Sequence, residues 1–175
     1  GLSEGPILQN MDPMKDVDGF STMTTGKLYM GQKLVAPCTP QGVIHILKHY
    51  NIPIQGKTAV VIGRSHIVGR PMAHLLLEEN ATVIVCHSKT ENLAEMTRQG
   101  DIVVVAAGRP EFLGREHFKK NAVVIDVGIH GTAGKKIVGD VRFQELQDWA
   151  FAATPVPGGV GPMTITVLLE NTLHL

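Results

Sequence analysis

An α/β fold built on a doubly wound parallel sheet is what this sequence predicts, and three observations predict it. From Lys57 onward, short β-branched runs alternate with amphipathic stretches of helical length, the rhythm of repeated βαβ units. The strand runs are almost continuously apolar, as expected where helices cover both faces of a parallel sheet. The first strand runs through a glycine turn straight into the first helix, in VVIGRSHIVGRP at residues 60–71.

In chain order, TAVVI (Thr58–Ile62) reads as the first strand, residues 68–79 as a helix and Thr82–Cys86 as the second strand. A helix over residues 90–98 leads to a third strand in DIVVVA (101–106). A short helix at 115–119 precedes a fourth strand in AVVIDV (122–127), GTAGKK (131–136) is an exposed turn, and 150–153 is a short fifth strand. The first 55 residues differ in texture. DPMKDVDGF (12–20) is turn-rich, residues 21–33 are polar and ambiguous, and Thr39 with Pro40 offers an N-cap and an N1 proline for a helix running to about Tyr50. The opening 37 residues hold too little apolar material for a domain of their own and are expected to be the end of something larger, a partial second α/β domain.

Composition narrows the function classes. The chain has 175 residues, 43% of them hydrophobic, enough for one substantial core. Lysine plus arginine balances aspartate plus glutamate at 16 each, so no overall positive field recruits nucleic acid or an anionic membrane, and a small-molecule partner is expected. Cys38 and Cys86 stand far apart without a CxxC partner, which makes neither a disulfide framework nor a zinc site and points to the cytosol. The longest apolar run, 102–107, is far below the roughly 20 residues a membrane helix needs. Gly1 opens the sequence without a signal-peptide pattern, consistent with processing, a tag scar or a fragment.

Chemistry concentrates where the strands meet their following loops. In VVIGRSHIVGRP, Gly63 permits a tight turn and the helix N-terminus offers unpaired N–H groups to a pyrophosphate, as in a Rossmann-like dinucleotide site. The fingerprint is incomplete: Ser65 holds the middle glycine position and Gly69 follows four residues later, so a plain strand-to-helix turn competes with cofactor binding. The second strand ends Cys86, His87, Ser88, Lys89, with no carboxylate for a ribose 2′-hydroxyl. Ser88, Lys89 and Arg64 can donate to a 2′-phosphate, which favours NADP over NAD, although Lys89 and His87 are equally read as an ordinary surface lysine and strand-end histidine. Gly128 and Ile129, after the fourth strand, lie on the same edge and can approach the nicotinamide end, or serve simply as a turn. Asp16 and Asp18 in DVDG lack the further ligands of an EF-hand, which leaves a turn or a substrate-binding carboxylate. Neither HExxH nor GxSxG spacing occurs, which argues against hydrolytic metal or serine chemistry.

With these residues assembled, the chain resembles the bifunctional methylenetetrahydrofolate dehydrogenase/cyclohydrolase family. The likeness rests on PMKDVDGF (13–20), PCTPQGV (37–43), GKTAVVIGRSHIVGRPMAHLLL (56–77), ATVIVCHSKT (81–90), VIDVGI (124–129), VGDV (138–141) and TPVPGGVGPMT (154–164), and it covers nearly the whole chain. The resemblance implies oxidation of 5,10-methylenetetrahydrofolate by NADP and hydrolysis of the methenyl product to 10-formyltetrahydrofolate, in a cytoplasmic homodimer. It implies cofactor contacts from Gly63, Arg64, Ser65, Gly69, Ser88 and Ile129, and a pterin contact from Asp18. It also implies a folate wall made of Pro157, Gly158, Gly159, Val160, Gly161, Pro162, Met163, Thr164 and Ile165, with a helix starting at Met163 and Thr164. Residues 1–52 then form the end of the folate domain, 53–158 the NADP-binding domain and 159–175 a helix returning toward the folate side.

The sequence departs from that pattern in one respect. The family carries a YxxxK and a QLPLP-like segment ahead of DVDGF, and neither precedes Asp12 here. Tyr29 to Lys33 spells YxxxK after DVDGF, a coincidence of spacing. A fragment without its acid–base lysine is therefore expected. The alternatives are a short NADP-binding or dimerising module without folate chemistry, and another NADP-dependent reductase, which would leave PGGVGPMT unexplained.

Overall fold

The computed structural model of the chain describes residues 4–131 and 136–175. Five strands, β1 (Thr58–Ile62), β2 (Thr82–Cys86), β3 (Ile102–Val105), β4 (Val123–Asp126) and β5 (Ala152–Ala153), form one sheet in the order β2-β1-β3-β4-β5. Every pairing is parallel, with Ile62 opposite both Cys86 and Val105, and Val105 opposite Asp126. The chain leaves β1 for β2 on one side and returns to β3 on the other. The loops after β1 and β3 therefore diverge, and a crevice opens between them at the carboxyl edge.

Six helices accompany the described strands: α1 (Glu4–Gln9), α2 (Thr22–Tyr29), α3 (Cys38–His49), α4 (Gly69–Glu78), α5 (Leu93–Thr97) and α6 (Val160–His174). Single 3-10 turns occupy Pro13–Lys15, Arg115–His117 and Phe143–Leu146. Alternate strand residues serve opposite faces. Ala59, Val61, Val104 and Ile125 pack with Val43 and Leu47 of α3, Met72 and Leu76 of α4, and Val160 of α6. Val60, Ile62, Val103 and Val105 pack with Leu113, Phe118, Val141 and Leu146 on the other face. All of β3 and β4 is buried, whereas β2 lies at the sheet edge, where Val85 is 42% exposed. Each buried valine or leucine contributes about 1.5–3 kcal/mol, so the central strands anchor the loops above them.

Several boundaries differ from the sequence reading for identifiable reasons. Thr39 is not the cap of α3: the helix starts at Cys38 behind Pro37, and the Thr39 hydroxyl sits 2.9 Å from that of Thr164. Pro40 is tolerated inside the first turn because amides there have no intrahelical acceptor. The same tolerance lets α6 begin at Val160, ahead of Met163, with Pro162 in its opening turn. The helix after β2 shrinks to Leu93–Thr97, since Thr90 closes a turn on His87 and Asn92 adopts φ 50°. Within the ambiguous stretch 21–33, Ser21 caps α2 by accepting a hydrogen bond from the Thr24 amide at 3.2 Å. Of the expected GTAGKK turn, residues 132–135 lie outside the described residues.

Candidate functional site

The β1–α4 turn is built for close approach. Gly63 has φ +131°, its amide donates to the Cys86 carbonyl, and a side chain there would collide with the Ala106 carbonyl oxygen after β3. A side chain on Gly69 would strike the Gly63 carbonyl, so α4 can begin directly against the turn only with glycine. Ser65 Oγ accepts from the amides of Val68 and Gly69, each at 3.2 Å. With its lone pairs committed to the helix, the hydroxyl proton is left to donate outward. The amides of Arg64, Ser65, His66 and Ile67 donate to no acceptor among the described residues, and these side chains are exposed. A run of amides without an acceptor, in exposed residues beside a serine donor and an arginine, fits a pyrophosphate-bearing cofactor.

Ser88 and Lys89 lie past the end of β2, next to this turn, because Cys86 pairs with Ile62. Thr90 Oγ1 accepts from the His87 amide at 2.8 Å, and His87 Nδ1 accepts from the Lys89 amide at 3.2 Å, closing a turn that leaves Ser88 and Lys89 exposed. Ile129, 62% exposed, follows β4 on the same edge. From β2 across β1 and β3 to β4 is roughly 14 Å at strand spacing, and Gly63, Arg64, Ser65, Ser88 and Ile129 are spread along that crevice. Gly69 is buried beneath it.

Behind the crevice stands a buried pair that sequence reasoning missed. Asp140 is 0% exposed; its Oδ2 accepts from the amides of Ala107 (2.7 Å) and Gly108 (3.0 Å), and its Oδ1 from Arg109 (2.9 Å) and His130 Nε2 (2.7 Å). Asp126 accepts from the amides of Gly128, Asp140 and Val141 at 2.9–3.0 Å. Burial pushes the Asp126 carboxyl up, and Asp140 adds to this, against the pull of the three amides. The available signal was VGDV itself, an aspartate set among small apolar residues.

The Pro–Gly segment follows β5. Its Val156–Pro157 bond is cis, Gly158 has φ +98°, and Gly158 and Pro157 are exposed. A side chain on Gly161 would lie 3.6 Å from Ile129 Cδ1, so this segment flanks the β4 end of the crevice. Val160 instead faces the core at 4% exposure, while Pro162 and Ile165 are exposed and Gly159, Met163 and Thr164 half-buried. Asp18 is half-buried beside Cys38, at the start of α3, where Thr39 meets Thr164. Burial, with the Asp18 carboxylate adding to it, pushes the Cys38 thiol up to about 12. Asp16 is occupied otherwise: its carboxylate accepts from the amides of Phe20 (3.0 Å) and Ser21 (2.8 Å) and closes the DVDGF turn. Asn171 of α6 holds that turn by donating to the carbonyls of Val17 (2.8 Å) and Ala36 (3.2 Å). Tyr29 stacks on His74 with ring centroids 4.4 Å apart.

Two grooves flank these groups. One of about 830 Å³ is lined by His45 and His49 of α3, Tyr50 directly after it, Phe151, Thr154, Gly158, Gly159, Pro162 and Met163; Asp18, Ser65 and Ile129 are not in its wall. Another of about 510 Å³ sets Phe20, Thr22 and Tyr29 opposite His66, Ile67 and Arg70, so the DVDGF segment faces the back of the β1–α4 turn. No helix among the described residues is long and apolar enough to cross a membrane.

Comparison with known proteins agrees with this geometry. Residues 37–175 match the family model described as tetrahydrofolate dehydrogenase/cyclohydrolase, NAD(P)-binding domain. The bifunctional protein FolD of Bdellovibrio bacteriovorus is 60% identical over 175 residues, covering 99% of this chain and 61% of that protein. The crystal structure of the Campylobacter jejuni bifunctional enzyme FolD superposes with a TM-score of 0.94 at 50% identity, over 98% of this chain and 61% of that one. The Trypanosoma brucei FolD structure, complexed with NADP cofactor and inhibitor, gives a TM-score of 0.92 at 40% identity, over 99% of this chain and 62% of that one. The chain thus spans about three-fifths of the length of the relatives it matches. It belongs to the tetrahydrofolate dehydrogenase/cyclohydrolase family, whose NAD(P)-binding-domain model it matches over residues 37–175.

Proposed function

We propose that this chain supplies the cofactor side of an enzyme that oxidises 5,10-methylenetetrahydrofolate with NADP and hydrolyses the 5,10-methenyl product to 10-formyltetrahydrofolate. The observation that carries the reading is the meeting, on one sheet edge, of the free amides at 64–67, the Ser88–Lys89 turn, Ile129 and the Pro–Gly segment. Bound there, NADP supplies a hydride acceptor.

The protein's own groups do the rest by positioning. Ser65 donates its free proton to the pyrophosphate, and Arg64 with Ser88 takes the 2′-phosphate, with no carboxylate at the β2 end to repel it. Ile129 supports the nicotinamide, Gly158, Gly159 and Gly161 allow bare backbone near the folate, and Asp18 accepts from the pterin. In this reading 53–158 binds cofactor, while 1–52 and 159–175 face the folate side of a cytoplasmic homodimer.

Parallel titration of the chain with NADPH and NADH tests the reading. We expect saturable binding with at least tenfold preference for NADPH, about 1.4 kcal/mol. Equal or absent binding of both would overturn it. The family's YxxxK does not precede DVDGF in these 175 residues, so we expect the chain alone to turn over methylenetetrahydrofolate slowly.

A further inference from the structure

Ile129 is exposed, yet of its two neighbours Gly128 packs against the Asp140 carboxyl group while its amide donates to Asp126, and His130 is hydrogen-bonded to Asp140. A side chain on Gly128 would come within 2.5 Å of Asp140 Cγ, so the backbone there lies directly against that carboxyl group. On the other side His130 places Nε2 2.7 Å from Asp140 Oδ1, and its backbone exchanges both hydrogen bonds with Val138 (2.8 and 3.1 Å). The same carboxylate gathers the consecutive amides of Ala107, Gly108 and Arg109, which form the loop after β3 on one lip of the crevice. Removing so many donors from water around one buried carboxylate fixes their relative positions, because any that moves away leaves the charge under-satisfied.

We propose that Asp140 and His130 are positioning residues for the dinucleotide: the pair holds Ile129, at the nicotinamide end, in register with the loop after β3 and hence with the phosphate-binding turn. The inference rests on the cofactor reading above. Neither side chain is assigned a contact with the reacting atoms. His130 is the better probe, being half-buried where Asp140 is completely enclosed.

The experiment compares two ligands on the 175-residue chain: NADPH, which spans the crevice, and 2′,5′-ADP, which reaches only its Arg64 and Ser88 end. In His130→Leu the hydrogen bond to Asp140 is lost, and we expect NADPH to bind about tenfold more weakly while 2′,5′-ADP stays within about twofold of wild type. In His130→Gln the amide donates to the same carboxylate oxygen, and NADPH affinity recovers. Asp140→Asn, which also disturbs the Ala107 to Arg109 amides, weakens NADPH further than His130→Leu. If His130→Leu binds NADPH as wild type does, or loses both ligands equally, or if His130→Gln fails to rescue, the positioning role is overturned while the cofactor reading stands. A wild-type chain that binds neither ligand overturns the cofactor reading itself, and this inference with it.

Discussion

Replacing Ser65 removes two separable interactions, and two substitutions divide them. Ser65→Ala deletes an oxygen that accepts from the Val68 and Gly69 amides at 3.2 Å, at the entry to α4. Loss of the acceptor for these two amides costs about 1 kcal/mol. Loss of a donor to a charged phosphate costs about 1.5–3 kcal/mol, which is about 10- to 150-fold in affinity. Ser65→Asp keeps an acceptor for the helix amides but sets a negative charge against the phosphate; at about 4 Å the repulsion is about 1–4 kcal/mol across the dielectric range of a protein surface. Urea unfolding and NADPH fluorescence titration read the two effects independently. Ser65→Ala is expected to lose about 1 kcal/mol of stability and at least tenfold in affinity, whereas Ser65→Asp stays near wild-type stability and binds at least about 50-fold more weakly. NADPH binding by Ser65→Asp at wild-type affinity would place the phosphate elsewhere. An unchanged urea midpoint for Ser65→Ala would show that the hydroxyl does not support α4.

Other substitutions probe neighbouring parts of the site and the core. The Arg64→Ala/Ser88→Ala protein should lose about tenfold or more of its preference for NADPH over NADH, and an unchanged ratio of dissociation constants would remove both residues from the 2′-phosphate. Gly63→Ala combines φ +131° with a collision against the Ala106 carbonyl, so we expect at least about 2 kcal/mol of destabilisation by urea unfolding. The thiols give a pH signature. Burial raises the Cys86 thiol, and burial with Asp18 raises Cys38 to about 12. The unfolded chain ionises from about pH 8.5 while the folded chain keeps its protons, so stability should fall as pH rises through that value, by up to about 1.4 kcal/mol per pH unit for each thiol. A Cys38→Ser/Cys86→Ser protein should show a flatter profile between pH 8 and 10, and an equal slope in both proteins would refute the shifts.

Much of the sheet was legible because buried parallel strands must be apolar throughout. TAVVI and TVIVC lie between polar or turn residues, and their ends coincide with β1 and β2. Helix starts were less legible. Thr39 has the chemistry of a cap, but its hydroxyl is engaged by Thr164, 125 residues away. The opening of α6 was obscured by Gly161 and Pro162, residues that read as loop yet are harmless in a first helical turn. In the site, Gly63 and Ser65 were visible because strand, turn and helix are contiguous there. Asp140 was not, since its partners at 107–109 and 130 reach it only through the order of the sheet and the antiparallel pairing of His130 with Val138. Local pattern reports local chemistry, and an anchor assembled from three loops leaves no period or spacing to read.

The Asn171 contact also sets a schedule for synthesis. Asn171 is added 154 residues after Val17, whose carbonyl it holds. At about 5–20 residues per second, that interval is about 8–30 s on the ribosome. Throughout it, the turn carrying Asp18 lacks its α6 anchor, although Ser21 can already cap α2. The turn carrying Asp18 is thus completed by a segment made 154 residues after it, which makes its anchoring a late event relative to the closing of its own local hydrogen bonds.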